Sequence, residues 1–268
     1  MNNQRMTIMI ISCDLYRELW DCTFHFFDKN WPDCPYPKLL VSDKKTDYVR
    51  NGVQVLAIEG RDFGGRINEA CQSVHTPYVL FVPEEYWVTK PIKSDQIEYL
   101  LDLMEKNDLG YLRMQQYQRL KKGRRIGNGV RSIAIERSFD VDNHPFIART
   151  EILQGGAAAD EEAHVYERRL SKRYLAMGVE AAYAKKRYFP FQEALTRGLF
   201  FRRAYRMALL SGCYRGGRRE MTSWEECKFN AHIKPRDWCP RWLYAIIRRQ
   251  AHKKGHLLAG EEPEDLTI

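Results

Sequence analysis

Two adjacent carboxylates, Glu84 and Glu85, follow the run YVLFVP at residues 78–83 and precede the aromatics Tyr86 and Trp87. Side by side, two such groups repel unless a proton, a cationic side chain or a metal ion is shared between them. At the end of an apolar strand the pair has two readings. One is a solvated turn; the other is a site that holds a divalent cation and, through it, a phosphorylated ligand. The stretch EGRDFGGR at 59–66 offers the complementary half of the second reading. Gly64 and Gly65 permit close backbone approach at a helix start, where amide groups receive an anion, and Arg61 or Arg66 can offset phosphate charge. A third segment, Ser12-Cys13-Asp14, follows another β-rich run, TIMIIS at 7–12.

For these segments to meet, the elements before them must lie side by side. Short β-forming runs at 7–12, 38–42, 53–60, 78–83 and 110–115 alternate with helical patterns at 14–31, 64–76 and 94–108. In the first of these helical patterns, Leu15, Leu19, Cys22, Phe26 and Phe27 recur at helical spacing behind an acidic start. Strands separated by helices pair in parallel, which predicts an α/β fold: an open, mostly parallel twisted sheet flanked by helices. In such sheets ligands bind outside the carboxyl ends of the strands, and that places residues 12–14, 59–66 and 83–86 at one mouth. Further on, 159–178 reads as an amphipathic helix with acids first and bases last, which suits its dipole. The segments 190–212 and 240–254 also read as helices, so the sheet domain is set at 1–212, with a basic, aromatic helical C-terminal extension and acidic tail at 213–268.

Composition narrows the function further. The 268 residues carry a formal charge of +8, and 44% are hydrophobic, which is globular rather than disordered. Apolar runs are short, predicting neither a membrane span nor a signal peptide. Seven cysteines without a CxxC pair predict no disulfide framework and a reducing, cytoplasmic setting. Cys213, Cys227, His232 and Cys239 are zinc-type ligands, but their spacing fits no compact zinc motif. Residues 168–256 hold 22 Lys and Arg against 6 Asp and Glu. Interleaved with Phe200, Phe201, Trp224, Trp238 and Trp242, this charge suits a face resting on anionic lipid headgroups. Nucleic acid is not expected as a partner, because no nucleic-acid recognition motif accompanies the charge. The loop 121–130, with Lys121, Arg124 and Arg125, is either a phosphate clasp or a surface turn, and His144 is either an acceptor-site residue or a turn residue beside Pro145.

The segments at 12–43, 63–92 and 188–212 resemble, in order, bacterial glycosyltransferases of the GT-A nucleotide-diphospho-sugar transferase fold, in particular those of capsule and O-antigen synthesis. The resemblance implies transfer of a sugar from a nucleotide-sugar donor to a glycan or lipid-linked glycan acceptor, at the inner face of the plasma membrane. It implies that Ser12, Cys13 and Asp14 meet the nucleoside, that Arg66 faces the diphosphate, and that Glu84 and Glu85 replace the family's acidic pair and hold Mg or Mn. Glu85 stands where an aspartate is usual, so its longer arm changes the reach to a cation. HVYERRLS at 164–171 resembles the segment that carries the family's general base, implying that role for Glu167, with Asp160, Glu161 and Glu162 as alternatives. Two rival readings stay open: a non-catalytic protein of the same fold that binds membrane or polyanion, and a nucleotidyltransferase.

Overall fold

The computed structural model describes residues 5–115, 123–136, 140–238 and 241–253. Along the chain the elements are β1 (Met6–Ile11), α1 (Arg17–Asn30), β2 (Lys38–Ser42), β3 (Val53–Ala57), α2 (Phe63–Gln72), β4 (Tyr78–Pro83) and β5 (Tyr86–Val88). There follow α3 (Ser94–Lys106), β6 (Tyr111–Arg113), β7 (Arg125–Gly127), β8 (Val130–Ile133), β9 (Phe146–Arg149), α4 (Thr150–Gly156) and α5 (Ala163–Ala176). The chain continues through β10 (Ala181–Ala184), β11 (Phe191–Glu193), β12 (Leu195–Thr196), β13 (Leu199–Phe200), α6 (Arg202–Ser211), α7 (Ser223–Trp238) and α8 (Arg241–Lys253).

Nine strands form one sheet in the order β3-β2-β1-β4-β9-β6-β10-β8-β7. Pairing is parallel from β3 to β4 and between β6 and β10, and only β9 and β8 run against the others. The expected open, mostly parallel α/β sheet is thus what the chain builds. Every residue of β1 and β4 is buried, as expected for strands covered on both faces. Because successive side chains point to opposite faces, Ile8, Ile10, Leu80 and Val82 enter one core with α1 and α3. Met9, Ile11, Val79 and Phe81 enter the other, with α2, α4 and α5.

A third, smaller core forms on the outer side of α1. There Leu19, Cys22 and Phe26 pack with Trp87, Phe200, Ala204, Ala208 and Tyr214. This cluster corrects the helix expected over 190–212, because only Arg202–Ser211 is helical. Residues 191–193 pair antiparallel with β5, and Leu195–Phe200 fold into a hairpin. Its two-residue turn has Arg197 at φ 50° and Gly198 at φ 77°, the left-handed pair that joins antiparallel strands with their natural twist. Helix α7 lies within the C-terminal extension expected to be helical. No helix among the described residues is long and apolar enough to cross a membrane.

Candidate functional site

Strands β1 and β4 are hydrogen-bonded neighbours running in the same direction, so the segments following them leave at the same edge of the sheet. At that edge Ser12, Cys13, Arg66, Glu84, Glu85 and Glu167 line one cleft of about 650 Å³. The start of α5 and the β12–β13 turn close its other sides. The acidic pair is clamped by its backbone: Glu84 N donates to Ile11 O at 3.3 Å, Thr23 Oγ1 on α1 donates to Glu84 O at 2.7 Å, and Ala194 N donates to Glu85 O at 2.7 Å. Three separate elements therefore fix where the two carboxyl groups stand.

The residues singled out from the sequence do not all present a functional group to the cleft. Ser12 has its hydroxyl turned inward, accepting from Trp20 Nε1 at 2.7 Å and donating to Cys13 O at 3.3 Å. Asp14 lies beside the cleft rather than in its wall; its carboxylate accepts from Lys45 N at 3.1 Å, and its own N donates to Asp43. Arg61 is drawn to the surface by Glu69 and Asp160. Gly64 and Gly65 are buried and do not line the cleft. Their missing side chains admit the 159–161 segment instead: a Cβ on Gly64 would strike Ala159 O, and one on Gly65 would strike the Asp160 carboxylate. The helix start is occupied in the same way, since Gly64 N donates to Glu161 O at 2.9 Å and Asp62 N to Asp160 Oδ1 at 2.7 Å. The anion acceptor expected there is part of the protein itself. Of the alternative base residues, Glu161 is buried and paired with Arg169 and Arg173, and Asp160 caps α2, whereas Glu162 lines the cleft. Arg124 and Arg125 sit at or beside β7, the far edge of the sheet, and Lys121 lies outside the described residues. Cys239, of the zinc-type set, does too.

Arg66 is the cation that does face the acids. Its Nε is buried without a hydrogen-bond partner among the described residues. Glu167 lines the same cleft from α5, half-buried and outside any ion pair among the described residues, with Asn143 N donating to its Oε1 at 3.5 Å. A further carboxylate, Glu193, arrives on β11, opposite Tyr86 in the β5–β11 pair. Behind Glu167, Asp142 accepts from the fully buried Arg113, and its Oδ2 stands 2.8 Å from His144 Nδ1. The His144 ring in turn lies against Tyr86, with centroids 5.4 Å apart.

Crowding of acids out of water has an electrostatic cost that the chain meets with protons. Burial, then the neighbouring Glu85, holds Glu84 well above the usual carboxylate range. Burial pushes Glu85 up to about 7 and Glu193 up to about 7. A carboxyl whose folded value is raised binds more protons when folded than when unfolded between the ordinary value, about 4.3, and the raised one. Stability contributed by Glu85 and Glu193 is therefore present below about pH 4 and lost as pH climbs to about 7. Urea unfolding of the ligand-free protein against Glu85→Gln and Glu193→Gln variants should show the variants gaining relative stability across that interval; parallel profiles would remove this picture of the cleft.

Two sets of residues are candidates for a cation. Glu84, Glu85 and Glu193 offer the hard oxygen donors that suit Mg or Mn, but their ligand atoms do not gather into a group of three among the described residues. Asp142, His144 and Glu167 have ligand atoms within 4.8 Å of one another. There, however, Asp142 is already held by Arg113 and His144, and a cation would have to stand beside a buried guanidinium. This second group is better suited to orienting His144 and the wall that carries Glu167. Sequence reasoning missed Glu193 because its segment reads as helix, and missed Asp142 because its partner Arg113 is 29 residues away.

No protein-family model and no curated protein matches the chain. Among solved structures it is similar to TarS of S. aureus, with a TM-score of 0.44 and 15% identity over 68% of this chain and 37% of that one. It is also similar to residues 1–349 of TarS in complex with UDP, with a TM-score of 0.46 and 15% identity over 68% of this chain and 61% of that one. The bifunctional IspDF of Campylobacter jejuni matches with a TM-score of 0.42 and 10% identity over 68% of this chain and 50% of that one. The chain thus spans less than two thirds of these structures.

Proposed function

We propose that the protein is a glycosyltransferase that moves a sugar from a nucleoside-diphosphate donor to a surface-polysaccharide acceptor of the capsule, O-antigen or lipopolysaccharide type. The observation that carries this reading is the cleft at the carboxyl ends of β1 and β4, where Arg66, whose buried Nε has no hydrogen-bond partner among the described residues, shares the lining with Glu84, Glu85 and Glu167. Arg66 binds a diphosphate oxygen. Glu85 with Glu84 or Glu193 would hold Mg or Mn, which would supply positive charge beside the diphosphate. Glu167 takes the proton from the acceptor hydroxyl as the sugar is transferred by direct displacement. Cys13, whose thiol is pushed up by burial, lies in the wall as a neutral surface against the nucleoside.

An acceptor carried on lipid would explain the basic C-terminal region. Leu210 is 89% exposed on α6, and Trp224 is 66% exposed beside Lys228, whose ammonium lies 5.1 Å from the indole centroid. An apolar tip with cations around it fits the headgroup layer of an anionic membrane.

A thermal-shift screen of nucleoside diphosphates and their sugars, with and without Mn, tests the donor site. A ligand at a hundred times its Kd should stabilise the protein by about 2.7 kcal/mol, and Arg66→Ala should lose most of the shift. No response to any donor, together with salt-sensitive binding to anionic vesicles, would replace the enzyme reading with that of a binding protein.

A further inference from the structure

Two thiols far apart in sequence meet outside the cleft. Cys22 is fully buried on α1, and Cys213 is half-buried just after α6; their Sγ atoms are 2.9 Å apart. A disulfide bond needs about 2.05 Å, so bond formation requires a shift of less than an ångström. Cys213 also borders a surface depression with Glu18, Asp21 and Arg215, open to small molecules from solvent. The Ser211 hydroxyl lies 2.8 Å from the Cys213 sulfur. The contact with Cys22, then the Ser211 hydroxyl, draws the Cys213 thiol down to about 7. The hydrogen bond with Cys213, then burial, raises Cys22. One sulfur is therefore the reactive partner and the other the resolving one.

We propose that Cys22 and Cys213 form a peroxide-responsive dithiol that closes reversibly into a disulfide between α1 and the segment following α6. The Cys213 thiolate attacks a peroxide oxygen; the O–O bond breaks, hydroxide departs and is protonated to water, and Cys213 becomes a sulfenic acid. Cys22 sulfur then attacks the sulfenic sulfur. The S–S bond forms, the S–O bond breaks, and the leaving hydroxide takes the Cys22 proton as a second water. Two thiols are oxidised and one peroxide is reduced to two waters.

The position of the pair gives the bond a consequence. The segment it would pin, residues 213–221, is tied to β13: Phe200 N donates to Arg219 O at 3.1 Å, Met221 N donates to Phe200 O at 2.8 Å, and the Tyr214 and Phe200 rings meet edge-to-face at 4.8 Å. Arg218 holds the same segment to Glu18 on α1. The turn that β13 completes, Thr196–Gly198, lines the cleft. Oxidation would fasten one wall of the cleft to α1.

The full chain treated with stoichiometric hydrogen peroxide should lose two of its seven thiols. Non-reducing peptide mapping should give a single Cys22–Cys213 cross-linked product, lighter than the two free peptides by two hydrogens, and dithiothreitol should restore both thiols. Cys213→Ser should abolish the product while leaving the thermal midpoint of the reduced protein unchanged. Cys22→Ser, even if it weakens the core, should leave Cys213 trapped as sulfenic acid, read by a dimedone adduct. Free Cys22 and Cys213 after treatment, a cross-link through any other cysteine, or a product that survives in Cys213→Ser would overturn the proposal.

Discussion

Replacing Glu167 by Gln should leave nucleotide-sugar binding within about twofold of the parent while lowering transfer by about 10²–10⁴-fold, the range a general base contributes. The substitution keeps the size of the side chain and its contact with Asn143 N, and removes only the capacity to take a proton. Donor binding should persist because Arg66, Glu84 and Glu85, the residues proposed to hold the donor, are unchanged. Release of nucleoside diphosphate from the sugar nucleotide, to acceptor or to water, is the readout for rate, and thermal shift the readout for binding. Undiminished release would remove Glu167 from the mechanism. Should Glu193→Gln alone produce the loss, the proton acceptor is the carboxylate on β11. Its pKa near 7 would then give a rate that rises through neutrality.

Arg113→Met should destabilise the protein by about 3–5 kcal/mol, because it strands the Asp142 carboxylate in a site where neither group meets solvent. Asp142 would be left with its His144 contact and the His144 backbone N–H, at 2.8 Å and 3.2 Å. Replacing the pair together, Arg113→Met with Asp142→Leu, should recover most of that loss, since two apolar groups need no partner. Urea unfolding measures both. A single-variant loss below about 1 kcal/mol, the size expected of a solvent-exposed pair, would show that water reaches this ion pair. The same double variant separates stability from chemistry: His144 loses the acceptor that orients its Nδ1, so a variant that folds well and transfers slowly marks the Asp142–His144 unit as positioning the cleft wall.

The amino-acid sequence by itself determined the sheet and the edge of it that matters. Runs such as IMII, LLV and YVLFVP are apolar at every position because strands covered on both faces need no polar side, and their lengths and order already dictate parallel pairing. From that topology the meeting of Ser12, Arg66, Glu84 and Glu85 follows, since segments leaving the same edge converge. The glycines at 64 and 65 were equally visible, but a missing side chain does not say what fills the space. Tertiary structure gave it to the 159–161 segment rather than to a phosphate. It also decided the fate of residues 190–200, whose helical periodicity yields to pairing with β5 and to the left-handed Arg197–Gly198 turn, and so delivers Glu193 to the cleft. Asp142 with Arg113, and Cys22 with Cys213, are contacts 29 and 191 residues apart. Local propensity carries no information about such pairs, because they exist only once the sheet has brought distant segments into one dry interior.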